Sequence, residues 1–286
     1  MYEKYYGLLS NPFALTPDPR YLYMGRQHRH ALTLLEYALR KGTCFALISG
    51  EIGSGKTTIV NYLLRRVEQG LRIGLLTNTH ASIGPLLPWI MQSLRVQTTR
   101  SAAADLYDEF AHFLQREHEA GKRVVLIIDE AQNLSAQSLE ELRVLSNLND
   151  GEALLLQTIL VGQPELRLTL RAAGMKQFAQ RIAIDYHIMP LQRDETHAYI
   201  RHRLGVAGGN ADIIDSEARE WVHAGTGGVP RLINQVCDTA LVYGYADQRK
   251  PIDADLIEQV LRDRGEGGIL PLIDIRRTTD GVVAVE

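Results

Sequence analysis

Apolar residues along this chain fall into short near-continuous runs and into longer runs spaced by three or four. Cys44-Phe-Ala-Leu-Ile-Ser49, Ile73–Thr77, Val124-Val-Leu-Ile-Ile128 and Leu154–Val161 are of the first kind and predict buried strands. Helical spacing over Arg29–Arg40, Thr57–Val67, Gly84–Leu94, Leu106–His118 and Ser138–Leu148 predicts helices before and between them. Strands alternating with helices imply an α/β fold, a parallel sheet sandwiched by helices. Beyond about Pro190 the strand pattern stops, and Thr196–Leu204, Ser216–Ala224, Arg231–Gly244 and Ala254–Arg262 read as helices separated by Gly, Pro, Asn and Asp. The first stretch, Asn11-Pro-Phe-Ala-Leu-Thr-Pro-Asp-Pro-Arg-Tyr-Leu-Tyr23, is rich in Pro and aromatics and reads as an extended arm. The expected layout is an arm over 1–30, an α/β core over 31–190, a C-terminal all-helical lid over 191–264 and a tail over 265–286. The tail carries one β-like stretch, Ile269–Ile275.

Composition narrows the class. A chain of 286 residues, 45% hydrophobic and 23% charged, has the makeup of a soluble globular protein of about two domains. With 31 Lys+Arg against 34 Asp+Glu the net charge is -3, so binding to nucleic acid or anionic membrane has to come from a local patch. Cys44 and Cys237 lie far apart, which fits a reducing compartment better than a disulfide framework. No signal core opens the chain and no run of about 18 apolar residues occurs, so the expectation is a cytoplasmic chain without a membrane span of its own.

The chemistry is concentrated at strand ends. Gly50-Glu51-Ile52-Gly53-Ser54-Gly55-Lys56-Thr57, followed by Thr58, fits the P-loop pattern G-x-x-x-x-G-K-[ST] between a strand and a helix. Glycines there let successive backbone N–H groups face phosphate oxygens at a helix N-terminus. Lys56 is then expected to reach the β/γ-phosphates and the Thr57 hydroxyl to ligate Mg²⁺. Asp129 and Glu130 follow the strand ending at Ile128, at the sheet edge where α/β proteins bind ligands. Asp129 is expected to hold Mg²⁺ and Glu130 to orient or deprotonate the attacking water, which points to hydrolysis of ATP. Gln163 follows the next strand, placed to touch the γ-phosphate or the lytic water, or else simply solvated in a loop. Arg181 and Arg231 sit beside structural punctuation and suit phosphoryl charge, though surface arginines are common.

Together these motifs resemble the AAA+ ATPases. Phe13-Ala-Leu-Thr-Pro-Asp-Pro-Arg-Tyr-Leu-Tyr23, Arg29-His-Ala-Leu32, Asp129-Glu-Ala-Gln-Asn133, Leu142-Arg-Val-Leu-Ser-Asn-Leu148 and Leu160-Val-Gly-Gln-Pro-Glu-Leu166 resemble, more narrowly, the general secretion pathway protein A family over about residues 1–263. The resemblance implies that Gln163 is the first sensor, Arg181 an arginine finger acting on a neighbouring subunit, and Arg231 a second sensor carried by the lid. It implies that the arm at Pro12 and Phe13 packs near the adenine. It also implies a homo-oligomer, a ring or filament and commonly a hexamer. Relatives in secretion often continue into a membrane span and a periplasmic region, whereas this sequence ends at Glu286 after a polar tail, so action through partner proteins is expected, in the cytoplasm or peripherally at the inner membrane.

Three functions fit these motifs. The first is an ATPase that drives or organises assembly of a secretion, pilus or exopolysaccharide-export system. The second is a regulator of transposition type that assembles with ATP on duplex DNA. Its basic face would have to come from the first 45 residues, 6 Lys/Arg against 3 Asp/Glu, and from Arg65, Arg66, Arg72, Arg95 and Arg100, because the lid over 191–264 carries 9 Lys/Arg against 12 Asp/Glu. The third is a switch that binds ATP and barely hydrolyses it, against which Glu130 argues. Ile269-Leu-Pro-Leu-Ile-Asp-Ile275 is either a docking strand or a disordered end.

Overall fold

The computed structural model describes residues 1–16, 18–66, 70–77, 84–99, 102–150, 153–266, 271–273, 275–278 and 281–284. In chain order the elements are α1 (Glu3–Tyr6), α2 (Arg26–Lys41), β1 (Phe45–Gly50), α3 (Lys56–Arg66), β2 (Leu71–Leu76), α4 (Leu87–Ser93), α5 (Ala103–Glu119), β3 (Arg123–Ile128) and α6 (Ala136–Leu145). There follow β4 (Asn149–Asp150), β5 (Ala153–Leu154), β6 (Leu156–Gly162), α7 (Pro164–Arg171), α8 (Lys176–Ala179) and β7 (Ile182–Ile188). The remainder is α9 (Arg193–Val206), α10 (Ser216–Thr226), α11 (Pro230–Ala246), α12 (Ala254–Glu266), β8 (Ile275–Thr278) and β9 (Gly281–Ala284). Two compact bodies divide them, one comprising 30–50 and 59–188, the other 1–29, 51–58 and 189–286.

The first body holds a parallel sheet in the order β2-β3-β6-β1-β7. β1 and β6 are buried along their whole length and β3 along all but Arg123, as strands covered on both faces must be. Their side chains join Phe110, Leu114, Leu139, Leu142 and Phe178 in one hydrophobic cluster. Each such side chain contributes about 1.5–3 kcal/mol on leaving water. Ser135 caps α6, its hydroxyl accepting from the Ser138 N–H at 3.0 Å, worth about 1 kcal/mol.

β7 is a strand that the apolar pattern does not predict. It lies at the sheet edge beside β1, and its side chains alternate, Ile184 and Ile188 buried with Asp185 exposed between them. A strand covered on one face reads as alternation and not as a continuous run. The strand expected over Leu154–Val161 begins at Leu156, after a two-residue antiparallel pair, β4 with β5.

In the second body α9 to α12 enclose a core built on Trp221, Leu204, Ile233, Leu241 and Ile257. Tyr2, Tyr6, Leu8, Phe13 and Tyr21 from the N-terminal segment complete the same core. Arg203 on α9 clasps that segment: its guanidinium donates to the carbonyls of Pro12 and Ala14 and lies 4.6 Å over the Tyr21 ring. α1, four residues within the segment, carries no periodic signal of its own. Of the β-like stretch expected over Ile269–Ile275, Ile269, Leu270 and Asp274 lie outside the described residues. Residues 271–273 are not strand, and the tail's strands are instead β8 and β9, paired antiparallel. Among the described residues no helix is long and apolar enough to cross a membrane.

Candidate active site

β1 ends at Gly50 and α3 begins at Lys56, so Glu51–Gly55 form a strand-to-helix loop. Gly53 has φ +80°, and a Cβ built there would lie 2.3 Å from Arg231 Cβ. Left-handed backbone and close approach together admit only glycine. Lys56 is 6% exposed, and its ammonium donates to the Glu51 carbonyl at 2.9 Å, folding the side chain back along the loop. The N–H groups at the head of α3 carry the partial positive charge that favours anions. His28, in the first turn of α2, is buried with its Nε2 2.9 Å from the Ser54 carbonyl. A carbonyl only accepts, so Nε2 carries the hydrogen. Burial lowers the imidazole pKa, outweighing the Ser54 bond and the Glu195 charge that favour the cation.

Arg231 reaches the loop because of the residues before it. Pro230 opens α11, where its missing N–H costs nothing. Gly228, φ +76°, passes so near Leu191 that a Cβ would stand 2.0 Å from that carbonyl oxygen, and the Leu191 N–H donates to the Gly228 carbonyl at 2.9 Å. Gly-Val-Pro-Arg is thus a close backbone crossing followed by a helix start.

The carboxylates belong to the sheet body. The Asp129 N–H donates to the Leu76 carbonyl at 2.8 Å, and its carboxylate, 4% exposed, accepts from the Glu130 N–H at 2.9 Å. Glu130 sits at φ +53°, a left-handed backbone that costs a non-glycine residue about 1–2 kcal/mol. Its Oε2 accepts from Gln132 Nε2 at 2.6 Å and from Gln163 Nε2 at 3.2 Å. Gln132 Oε1 in turn accepts the Gln163 backbone N–H at 2.9 Å. β3 and β6 are paired neighbours, Ile128 opposite Leu160, and this is why the residues following them meet. Asp129 offers a carboxylate within the sheet body, and Thr57 a hydroxyl within the other body, each by itself a hard oxygen donor of the kind Mg²⁺ takes.

One residue before the loop, Ser49 is fully buried. Its hydroxyl lies 3.0 Å from His187 Nδ1 on β7 and accepts from Arg167 on α7 at 3.1 Å, while Arg167 also pairs with Asp185 at 2.7 Å. The end of β1 is therefore tied to both neighbouring elements.

A family model described as an AAA domain matches residues 39–170. General secretion pathway protein A of Aeromonas hydrophila is 40% identical over 247 residues, 86% of this chain and 45% of that protein. The chain carries an AAA domain and is similar to general secretion pathway protein A. It spans less than half the length of that relative. Among solved structures it is similar to the ORC2 protein of Aeropyrum pernix, with TM-score 0.64, 17% identity, and coverage of 91% of this chain and 72% of that one. The ORC1 protein of the same organism, solved in complex with DNA, gives TM-score 0.61 and 15% identity over 88% of this chain and 69% of its own. The Walker-type ATPase paby2304 of Pyrococcus abyssi gives 0.59 and 15% over 90% and 76%. At such identities the likeness speaks for the fold, a parallel P-loop sheet with C-terminal helices.

Elsewhere in this AAA protein, Arg181 lies between α8 and β7. Its Nη1 donates to the Ser146 hydroxyl at 2.6 Å and to the Arg143 carbonyl at 3.1 Å, docking the cation at the C-terminus of α6, where the helix dipole favours it. Phe13 is 1% exposed and its ring is committed to the lid core. Arg231 is exposed, as is Thr57. Sequence reasoning singled out Glu130 and Gln163, which the fold brings together, and missed Gln132, His28 and the Ser49–His187 pair. Gln132 had a signal, a polar amide two residues after Glu130. His28 and His187 had none, since their partners stand 26 and 138 positions away.

Proposed function

We propose that this AAA protein binds ATP with Mg²⁺, hydrolyses it as a homo-oligomer, a ring or filament of hexamer-like size, and uses the cycle to drive or organise assembly of a bacterial secretion, pilus or exopolysaccharide-export system. The 40% identity to general secretion pathway protein A supports a secretion-related process, and a place in the cytoplasm or peripherally at the inner membrane is part of the same proposal. The chemistry is carried by one observation: two amides hold the Glu130 carboxylate beside a buried Asp129.

The Gly50–Thr58 stretch cradles the phosphates through backbone N–H groups, and Lys56 exchanges the Glu51 carbonyl for the β/γ-phosphates. Thr57 and Asp129 would hold Mg²⁺, which would neutralise phosphate charge. Glu130 takes a proton from a water whose oxygen attacks the γ-phosphorus as the bond to the ADP oxygen breaks. Gln163 orients that water or the γ-phosphate. Arg231 from the lid and Arg181 from a neighbouring subunit offset the developing charge. The arm at Pro12 and Phe13 serves the adenine end, on resemblance.

Lys56→Ala is expected to lose ATP binding. Glu130→Gln is expected to bind ATP normally and to hydrolyse it at least about 100-fold more slowly in a single turnover. Normal phosphate release by the second variant would remove Glu130 as the base. Assembly on duplex DNA is the weaker alternative: Arg72 donates twice to the Leu94 carbonyl and Arg66 lies over the Tyr62 ring, while Arg100 lies outside the described residues. ATP-dependent binding to duplex at physiological salt would reverse that preference.

A further inference from the structure

We infer that Gln132 is a positioning residue for hydrolysis, one that sets the rotation of the Glu130 carboxylate and ties it to the end of β6; the inference rests on Glu130 being the base. Gln132 lies in the short 3-10 turn Ala131–Asn133 that follows Glu130. Its amide orientation is dictated by its partners. The Gln163 backbone N–H can only donate, so the Gln132 oxygen must face it at 2.9 Å, and the NH₂ end is left to face Glu130 Oε2 at 2.6 Å. Swapping oxygen and nitrogen would break both bonds at once. Gln163 Nε2 reaches the same Oε2 from β6 at 3.2 Å. The three residues therefore form a closed loop of three hydrogen bonds, in which one oxygen of Glu130 accepts two donors. That fixes a terminal torsion which is otherwise broad and nearly free.

The loop also has a mechanical consequence. Glu130 is held at φ +53°, and Gln132 is the side chain bonded both to its carboxylate and to the backbone at the start of α7. A shift of β6 or α7 thereby moves the carboxylate of Glu130, even though Gln132 touches no reacting atom.

The test uses the full chain in single-turnover ATP hydrolysis, with ATP affinity measured separately. Gln132→Ala is expected to lower the rate by about 10- to 100-fold, with ATP affinity within about twofold of wild type. Gln132→Glu keeps the shape and the acceptor for the Gln163 N–H but no longer donates to Glu130, so it is expected to lose turnover as far as Gln132→Ala does, again with ATP affinity within about twofold of wild type. A merely structural role, in which Gln132 only ties down the end of β6, would be served by the acceptor alone, and Gln132→Glu would then keep wild-type turnover. The inference is overturned if either variant turns over at the wild-type rate. Glu130→Gln in the same assay separates the two claims. If it keeps wild-type turnover, the base assignment itself fails; if it is inactive while the Gln132 variants behave as wild type, only the positioning role fails.

Discussion

The P-loop carbonyl of Ser54 accepts from His28 Nε2, and the buried imidazole there favours its neutral form, because charging it away from water costs more than the Ser54 bond returns. Burial holds its pKa below the ordinary 6.5, so the folded protein binds fewer protons at this site than the unfolded chain does. The contribution is complete above about 6.5 and is lost as pH falls from there through the folded value. His197, His202 and His223 are lowered by burial too, so global stability declines over the same window. His28→Gln keeps a donor that does not titrate. ATP affinity of the wild type is expected to weaken more steeply than that of His28→Gln between pH 7 and pH 5, followed by calorimetric titration. Equal slopes would show that His28 does not govern the loop.

At the scale of elements, Arg203 links α9 to the arm. With two carbonyls and an aromatic face around it, the guanidinium is satisfied without a carboxylate, and removing it leaves the Pro12 and Ala14 carbonyls without their donor. Arg203→Ala is expected to cost about 2–3 kcal/mol in urea unfolding and to expose the arm to proteolysis; a change below about 0.5 kcal/mol with no new cleavage would contradict the clasp. Legibility from sequence follows the same physics. β1, β3 and β6 are continuous apolar runs because both faces are covered, and the four lid helices show their periodicity because each buries one stripe. β7 was not legible, since Asp185 and His187 serve Arg167 and Ser49, partners that a local pattern does not contain. Glu130 and Gln163 were legible because each directly follows or nearly follows a buried strand. Gln132 needed the β3–β6 pairing before its two bonds had meaning.

For the whole molecule, the proposal that the Arg181 guanidinium completes a neighbour's site would make oligomerisation part of the chemistry. Arg181 is held at the C-terminus of α6 by Ser146 and the Arg143 carbonyl, a docking that fixes where its guanidinium stands on its own subunit. Removing such a finger costs about 1000-fold or more in turnover. On that proposal, Glu130→Gln removes the base from its own subunit but leaves that subunit's arginine for the next one. The most direct measurement is therefore phosphate release from Arg181→Ala alone, Glu130→Gln alone, and an equimolar mixture of the two. Each variant is expected to be inactive by itself, while the mixture regains about a quarter of wild-type turnover, because that share of randomly formed interfaces pairs an intact Glu130 with an intact Arg181. A mixture as inactive as its components would contradict hydrolysis at a site shared between subunits.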